Sequence, residues 1–148
     1  MPLRPNHHCE VILLDDDEDD YLFLHKAFQT YSDTITLNHL TDPATLLSSL
    51  QSAPTLPSLI LLDMHMNGAD GFEILRGLKQ DTHLRDVPVV VWSGEMPDEQ
   101  VNQCYQAGAS SVVIKSDNQP SLDGVIRQLC EYWFGAVQLP FYAKQSDC

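Results

Sequence analysis

Basic residues are scarce in this chain: 8 lysines and arginines stand against 21 aspartates and glutamates, a formal charge of −13. Phosphate backbones and anionic lipid surfaces repel such a chain, which argues against a stand-alone nucleic-acid or membrane-surface binder and points to basic patches, metal ions or proteins as partners. Long apolar runs are also missing. Leu59–Leu62 and Val89–Trp92 fall far short of the ~20 residues that span a bilayer. The first nine residues hold one Arg, two Pro and two His with no apolar centre, so they do not form a signal peptide, and the cytoplasm is the expected compartment. Cys9, Cys104, Cys130 and Cys148 lack the paired spacing of zinc or dithiol sites and are read as reduced, ordinary thiols. The histidines lack metal spacing too. His7 and His8 fall in a flexible terminus, residues 1–8, while His25, His39 and His83 are read as surface or satisfied side chains. No Gly-x-Gly-x-x-Gly follows the first apolar run, which removes a dinucleotide enzyme.

What is present suits one compact domain: 148 residues, 43% hydrophobic and 20% charged, enough to bury a sizeable core. Glu10–Leu14 reads as a buried strand stopping at Asp15. The acidic run 15–20 opens a helix whose apolar face is expected to carry Leu22, Phe23, Ala27 and Phe28. Ile35–Leu40 is a second strand. Asp42 or Thr41 can cap a helix starting at Pro43, with Leu46, Leu47 and Leu50 inward, ended by Pro54 and Pro57. Leu59–Leu62 is a third strand, again ending on an Asp. A helix over Phe72–Leu78, a strand over Val87–Trp92, a helix from Pro97 to Gly108, a strand over Val112–Ile114 and a helix from about Ser121 to Trp133 complete the chain. Five β-then-α units with continuously apolar strands specify an α/β fold: a doubly wound, five-stranded parallel sheet of the flavodoxin-like type.

In such sheets the site lies outside the carboxyl ends of the strands. The first strand ends in Asp15 and Asp16, the third in Asp63, the fourth in Ser93 and the fifth in Lys115. Three close carboxylates repel one another and must raise a pKa unless a cation intervenes, and Mg²⁺ with oxygen ligands resolves the conflict. Each residue alone has an ordinary explanation: Asp15 and Asp16 as helix caps, Ser93 as a strand-end hydroxyl, Lys115 as a solvated cation, Asp70 as a turn or cap residue. Their convergence does not. A calcium loop over the 15–20 run is rejected, since Asp20 stands where Gly is needed and Lys26 where the final Glu belongs.

The Leu-Leu-Asp-Asp-Asp opening, the segment Leu61 to Gly71, Trp92-Ser93-Gly94 and the run Gly108 to Lys115 together resemble a response regulator receiver domain of two-component signalling. The resemblance covers residues 9–133, leaving 134–148 as a C-terminal extension. It implies that Asp63 accepts a phosphoryl group from the phosphohistidine of a sensor histidine kinase. It further implies that Asp15, Asp16, Asp63 and the backbone carbonyl of His65 hold Mg²⁺, while Ser93 and Lys115 bond phosphoryl oxygens. Attack by an anion on an anion must be catalysed mainly by alignment and charge neutralisation, which suits this residue set. A phosphatase built on an Asp-x-Asp-x-Thr loop is disfavoured because His65 stands two residues after Asp63. A receiver-like interaction module that is never phosphorylated is the remaining rival.

The chain departs from the family pattern in three places: Asn67 and Ser116 replace prolines, and Val112 stands where an aromatic switch is usual. Val is stiff and has no ring to swing inward, so output must be read by another route. Since only about fifteen residues follow Trp133, readout is expected through protein contact. Residues Glu131 to Pro140 resemble the extension of phytochrome-type single-domain regulators, and a homodimer using Tyr132, Trp133 and Phe134 is expected; the same aromatics could instead close the core. His65 and Glu95, each two residues past a site residue, are candidates for a gate over the phosphoryl group.

Overall fold

The computed structural model describes residues 8–31, 33–66, 68, 70–115 and 119–140, the side chains of 119–121 excepted. Asn67, Ser116 and Cys148, on which parts of the sequence reading fall, lie outside them. Strands β1 (Cys9–Leu14), β2 (Ile35–Leu40), β3 (Leu59–Leu62), β4 (Val89–Ser93) and β5 (Ser111–Ile114) form one sheet in the order β2-β1-β3-β4-β5. All four pairings are parallel, as expected for βαβ crossovers. The helices are α1 (Glu18–Phe28), α2 (Pro43–Ser52), α3 (Gly71–Gln80), α4 (Asp98–Gln106) and α5 (Gln119–Cys130).

Alternate strand residues feed two apolar layers, because successive side chains point to opposite faces. Ile12, Leu14, Ile60, Leu62, Val89 and Val91 pack with Leu46 and Leu50 of α2, Leu75 and Leu78 of α3 and Cys104 of α4. On the other face Val11, Leu13, Leu59, Leu61, Val90 and Trp92 pack with Leu24 and Phe28 of α1 and Leu122, Ile126 and Leu129 of α5. The doubly wound sheet expected from the continuously apolar strands is therefore present.

Four sequence expectations need correction. On α1 the structure buries Leu24 and Phe28 and leaves Leu22 exposed. Leu22 lies about 200° around the helix from Leu24, off the stripe that faces the sheet. The last helix does not end at Trp133: α5 runs into a π-helical turn, Glu131–Ala136, so a boundary at 133/134 cuts through a continuous element. Within that turn Trp133 and Phe134 are buried, Phe134 meeting Phe28 edge-on at 5.0 Å and Tyr31 at 5.5 Å. They close the α1/α5 layer and cannot serve as an exposed dimer patch; of the three aromatics only Tyr132 is exposed. His8, assigned to the flexible terminus, bonds the Thr36 hydroxyl at the edge of β2.

Candidate functional site

The backbone ladder delivers the acidic residues to one end of the sheet. Asp15 N–H donates to the Leu40 carbonyl at 3.2 Å, Asp63 N–H to Leu14 at 2.9 Å and Lys115 N–H to Ser93 at 2.7 Å. Each strand thus extends its pairing by one residue, anchoring the side chains that carry charge. Beyond this point the chain turns sharply. Asp15 Oδ1 accepts the Asp17 amide at 2.9 Å, and Asp63 Oδ1 accepts the His65 amide at 3.0 Å. Asp17 then caps α1 and Asp70 caps α3, each through its carboxylate. At Gly71 a Cβ would stand 2.8 Å from Met64 Cα, so only glycine lets α3 start against the segment that follows Asp63.

Asp15, Asp63 and Ser93 are buried, whereas Asp16 is exposed. One oxygen from each of Asp15, Asp16 and Asp63 lies within 4.8 Å of the others. The Ser93 hydroxyl stands 3.5 Å from Asp63 Oδ1, a loose approach that leaves the Asp63 carboxylate under-engaged on that side. The Lys115 ammonium lies 2.5 Å from Asp20, 3.1 Å from Asp15 and 3.7 Å from Asp63. It also sits 5.6 Å from the centroid of the Trp92 ring, whose buried indole N–H has no hydrogen-bond partner.

Charge behaves as the crowding dictates. Burial, reinforced by the Asp63 charge, pushes the Asp15 carboxyl up to about 8 against the opposing pull of the Asp17 amide and Lys115. For Lys115 burial acts downward, but Asp20, Asp15 and Asp63 outweigh it and hold the ammonium above its usual range. A buried carboxyl forced toward its neutral form, beside two further hard-oxygen donors, is a set that a divalent cation would fit.

All five strand-end residues named from the sequence therefore meet. His65 and Glu95 are both exposed, and among the described residues no hydrogen bond joins them. Three residues that matter to the geometry were not singled out. Asp20 makes the shortest ion pair to Lys115; Asp17 caps α1; and the His39 ring bonds the Asp15 carbonyl at 2.7 Å while stacking on Tyr21 at 4.5 Å. Asp17 and Asp20 sit in an unbroken acidic run that offers no residue-specific mark, and His39 reaches Asp15 only through the β1–β2 pairing. On the sheet's outer edge the Tyr105 hydroxyl accepts the Val112 N–H at 3.1 Å, so α4 supplies an aromatic ring beside the position where β5 has none.

The family model for the response regulator receiver domain matches residues 11–127. The chain is a response regulator receiver domain. Among curated proteins it is 27% identical over 136 residues to response regulator Rcp1 of Synechocystis, covering 88% of this chain and 92% of that one. It is also 27% identical over 134 residues to a probable methanogenesis regulatory protein, FilR2, of Methanothrix harundinacea, covering 88% and 86%. Among solved structures the Mn²⁺-bound form of Rcp1 superposes with a TM-score of 0.84 at 26% identity, covering 90% of this chain and 99% of that one. The phosphorylated cyanobacterial phytochrome response regulator RcpA gives the same TM-score at 24% identity over the same shares, a likeness of fold. A response regulator of red-light signalling from R. palustris gives 0.77 at 25%, again covering 90% and 99%. This receiver domain thus belongs to two-component signalling, and among its described residues no helix is long and apolar enough to cross a membrane.

Proposed function

We propose that Asp63 is the phosphoryl acceptor of this receiver and that a sensor histidine kinase of the phytochrome type is the donor. One observation carries the reading: Asp63 is held at the end of the central strand β3 between two further carboxylates, the Ser93 hydroxyl and the Lys115 ammonium. The Asp63 main chain is locked by the Leu14 bond, and one carboxylate oxygen is held by the His65 amide, which aims the group. Ser93 and Lys115, both standing back from Asp63, are placed to close on phosphoryl oxygens once these arrive.

Asp15, Asp16, Asp63 and the His65 carbonyl would hold Mg²⁺. When bound, the ion supplies neutralisation of the carboxylates and of the incoming phosphoryl charge. The remaining work is done by the chain itself: alignment by the β3–α3 turn and charge uptake by Lys115. On this reading the protein catalyses its own phosphorylation and dephosphorylation and acts on no separate substrate. We place it in the cytoplasm, consistent with the free, buried thiols of Cys104 and Cys130. We also propose a homodimer that uses Tyr132, the one exposed aromatic among the described residues that follow α5.

Incubation with acetyl phosphate and Mg²⁺ followed by intact-mass measurement tests the acceptor. The wild-type chain should gain one phosphoryl group and Asp63→Asn none, with the fold intact by circular dichroism. Full labelling of Asp63→Asn would reject the assignment, and an unlabelled wild type would favour a receiver that acts by contact alone.

A further inference from the structure

Lys115 is tethered more tightly to α1 than to the acceptor. Its ammonium stands 2.5 Å from Asp20, 3.1 Å from Asp15 and 3.7 Å from Asp63, and the Asp20 and Lys115 side chains are only 13% and 14% exposed. Solvent screens such a pair little, so its direction counts. To bond a phosphoryl oxygen on Asp63, the ammonium must move toward β3 and away from Asp20, with Asp15 between them as the contact it keeps.

Resting on the acceptor role of Asp63 proposed above, we infer that Asp20 is a positioning residue that holds Lys115 on the α1 side of the site and competes for it with the phosphoryl group. In the transfer itself, an Asp63 oxygen forms a bond to phosphorus as the bond from phosphorus to the bridging oxygen of acetyl phosphate breaks, and the electron pair leaves with acetate. No proton or further reactant is needed. Lys115 then exchanges its Asp20 contact for a phosphoryl oxygen, and the Asp20 carboxylate is released to solvent. The resting pair thus sets how readily the modified state forms. Its breaking is also the first mechanical consequence of modification at α1.

The Trp92 ring, 5.6 Å from the ammonium, reports the movement. The probe is beryllofluoride, a phosphoryl mimic, titrated with Mg²⁺ while Trp92 emission is followed in a Trp133→Phe background. Asp20→Asn should lower the half-saturating concentration about fivefold. It should also shift the resting emission before any addition, a signal that a purely helix-capping role would leave unmoved. Asp20→Glu, keeping the charge, should return both readouts toward wild type. Asp20→Ser, well tolerated in a first helical turn, should reproduce the gain. Asp19→Asn removes the same charge from the same turn without touching Lys115. Equal gains from Asp19→Asn and Asp20→Asn would overturn the inference in favour of bulk charge, as would unchanged or weakened binding in Asp20→Asn and Asp20→Ser. If the wild type binds beryllofluoride and takes phosphoryl while the Asp20 variants match it, this inference alone falls. If the wild type does neither, the acceptor reading falls with it.

Discussion

Among the described residues Asp15 carries the sharpest electrostatic conflict, and its proton should be measurable. The group titrates at 3.8 when unperturbed and near 8 in the fold. Between those values the folded chain holds a proton that the unfolded chain has released. Its contribution to stability is therefore complete below about pH 4 and lost as pH rises through 8. In the metal-free protein the melting temperature should accordingly fall from pH 5 to pH 8, and Asp15→Asn should flatten that decline. If Mg²⁺ is held by the ionised carboxylates as proposed, its binding should release a proton below pH 8, and affinity should climb toward that pH and level off above it. Calorimetric titration in two buffers of different ionisation enthalpy checks this, and an affinity flat from pH 6 to 8.5 would show Asp15 already ionised. Asp16→Ala should weaken Mg²⁺ binding and phosphorylation together. Among the described residues no hydrogen bond joins His65 to Glu95, so the proposed gate would have to form after phosphorylation. His65→Ala should then change the phosphoryl lifetime more than Mg²⁺ affinity. Equal decay profiles by intact mass would remove the gate.

The elements show where one-dimensional pattern stops being informative. β3 and β4 were readable from unbroken apolar runs and α2 from Asp42 before Pro43, because burial on both faces and a cap followed by an N-terminal proline leave local marks, whereas β2 alternates only weakly. The end of α5 left none. Tyr132, Trp133 and Phe134 are adjacent aromatics, and which of them turns inward depends on the π-helical register that α5 adopts as it passes Phe28 and Tyr31. Since Phe134 is fully buried there, Phe134→Ala should cost about 3–5 kcal/mol in urea unfolding. Its oligomeric state should be that of the wild type as long as it stays folded. A cost below about 1 kcal/mol would mean the ring is not part of the core. Cys130, in the same layer, is pushed up to about 12 by burial and then by Glu131, which makes it an inert thiol and agrees with the reading of ordinary cysteines.

For the molecule as a unit, the open question of association narrows to surfaces that remain exposed. Tyr132 is 56% exposed and braces edge-on against Trp133 at 5.3 Å, so it can present a ring outward without loosening the core. Tyr132→Glu should shift sedimentation toward the monomer while changing stability by less than about 1 kcal/mol. A folded variant that sediments like the wild type would remove Tyr132 from the interface. With a formal charge of −13, the proposed dimer should be weaker at low ionic strength and stronger as salt screens the repulsion, which the same experiment reads directly.

The parallel sheet and the strand-end set Asp15, Asp16, Asp63, Ser93 and Lys115 were specified by residue type and position along the chain. A parallel crossover topology leaves those ends on one edge of the sheet whatever the side-chain details, so local sequence sufficed. Which partner Lys115 prefers, that Asp20 rather than Asp17 or Asp19 turns toward it, that His39 braces Asp15, and that Phe134 seals the core were decided only in three dimensions. Each of those depends on the rotation of a helix or the pairing of strands distant in sequence. Identical residues in an acidic run differ only by the direction the fold gives them.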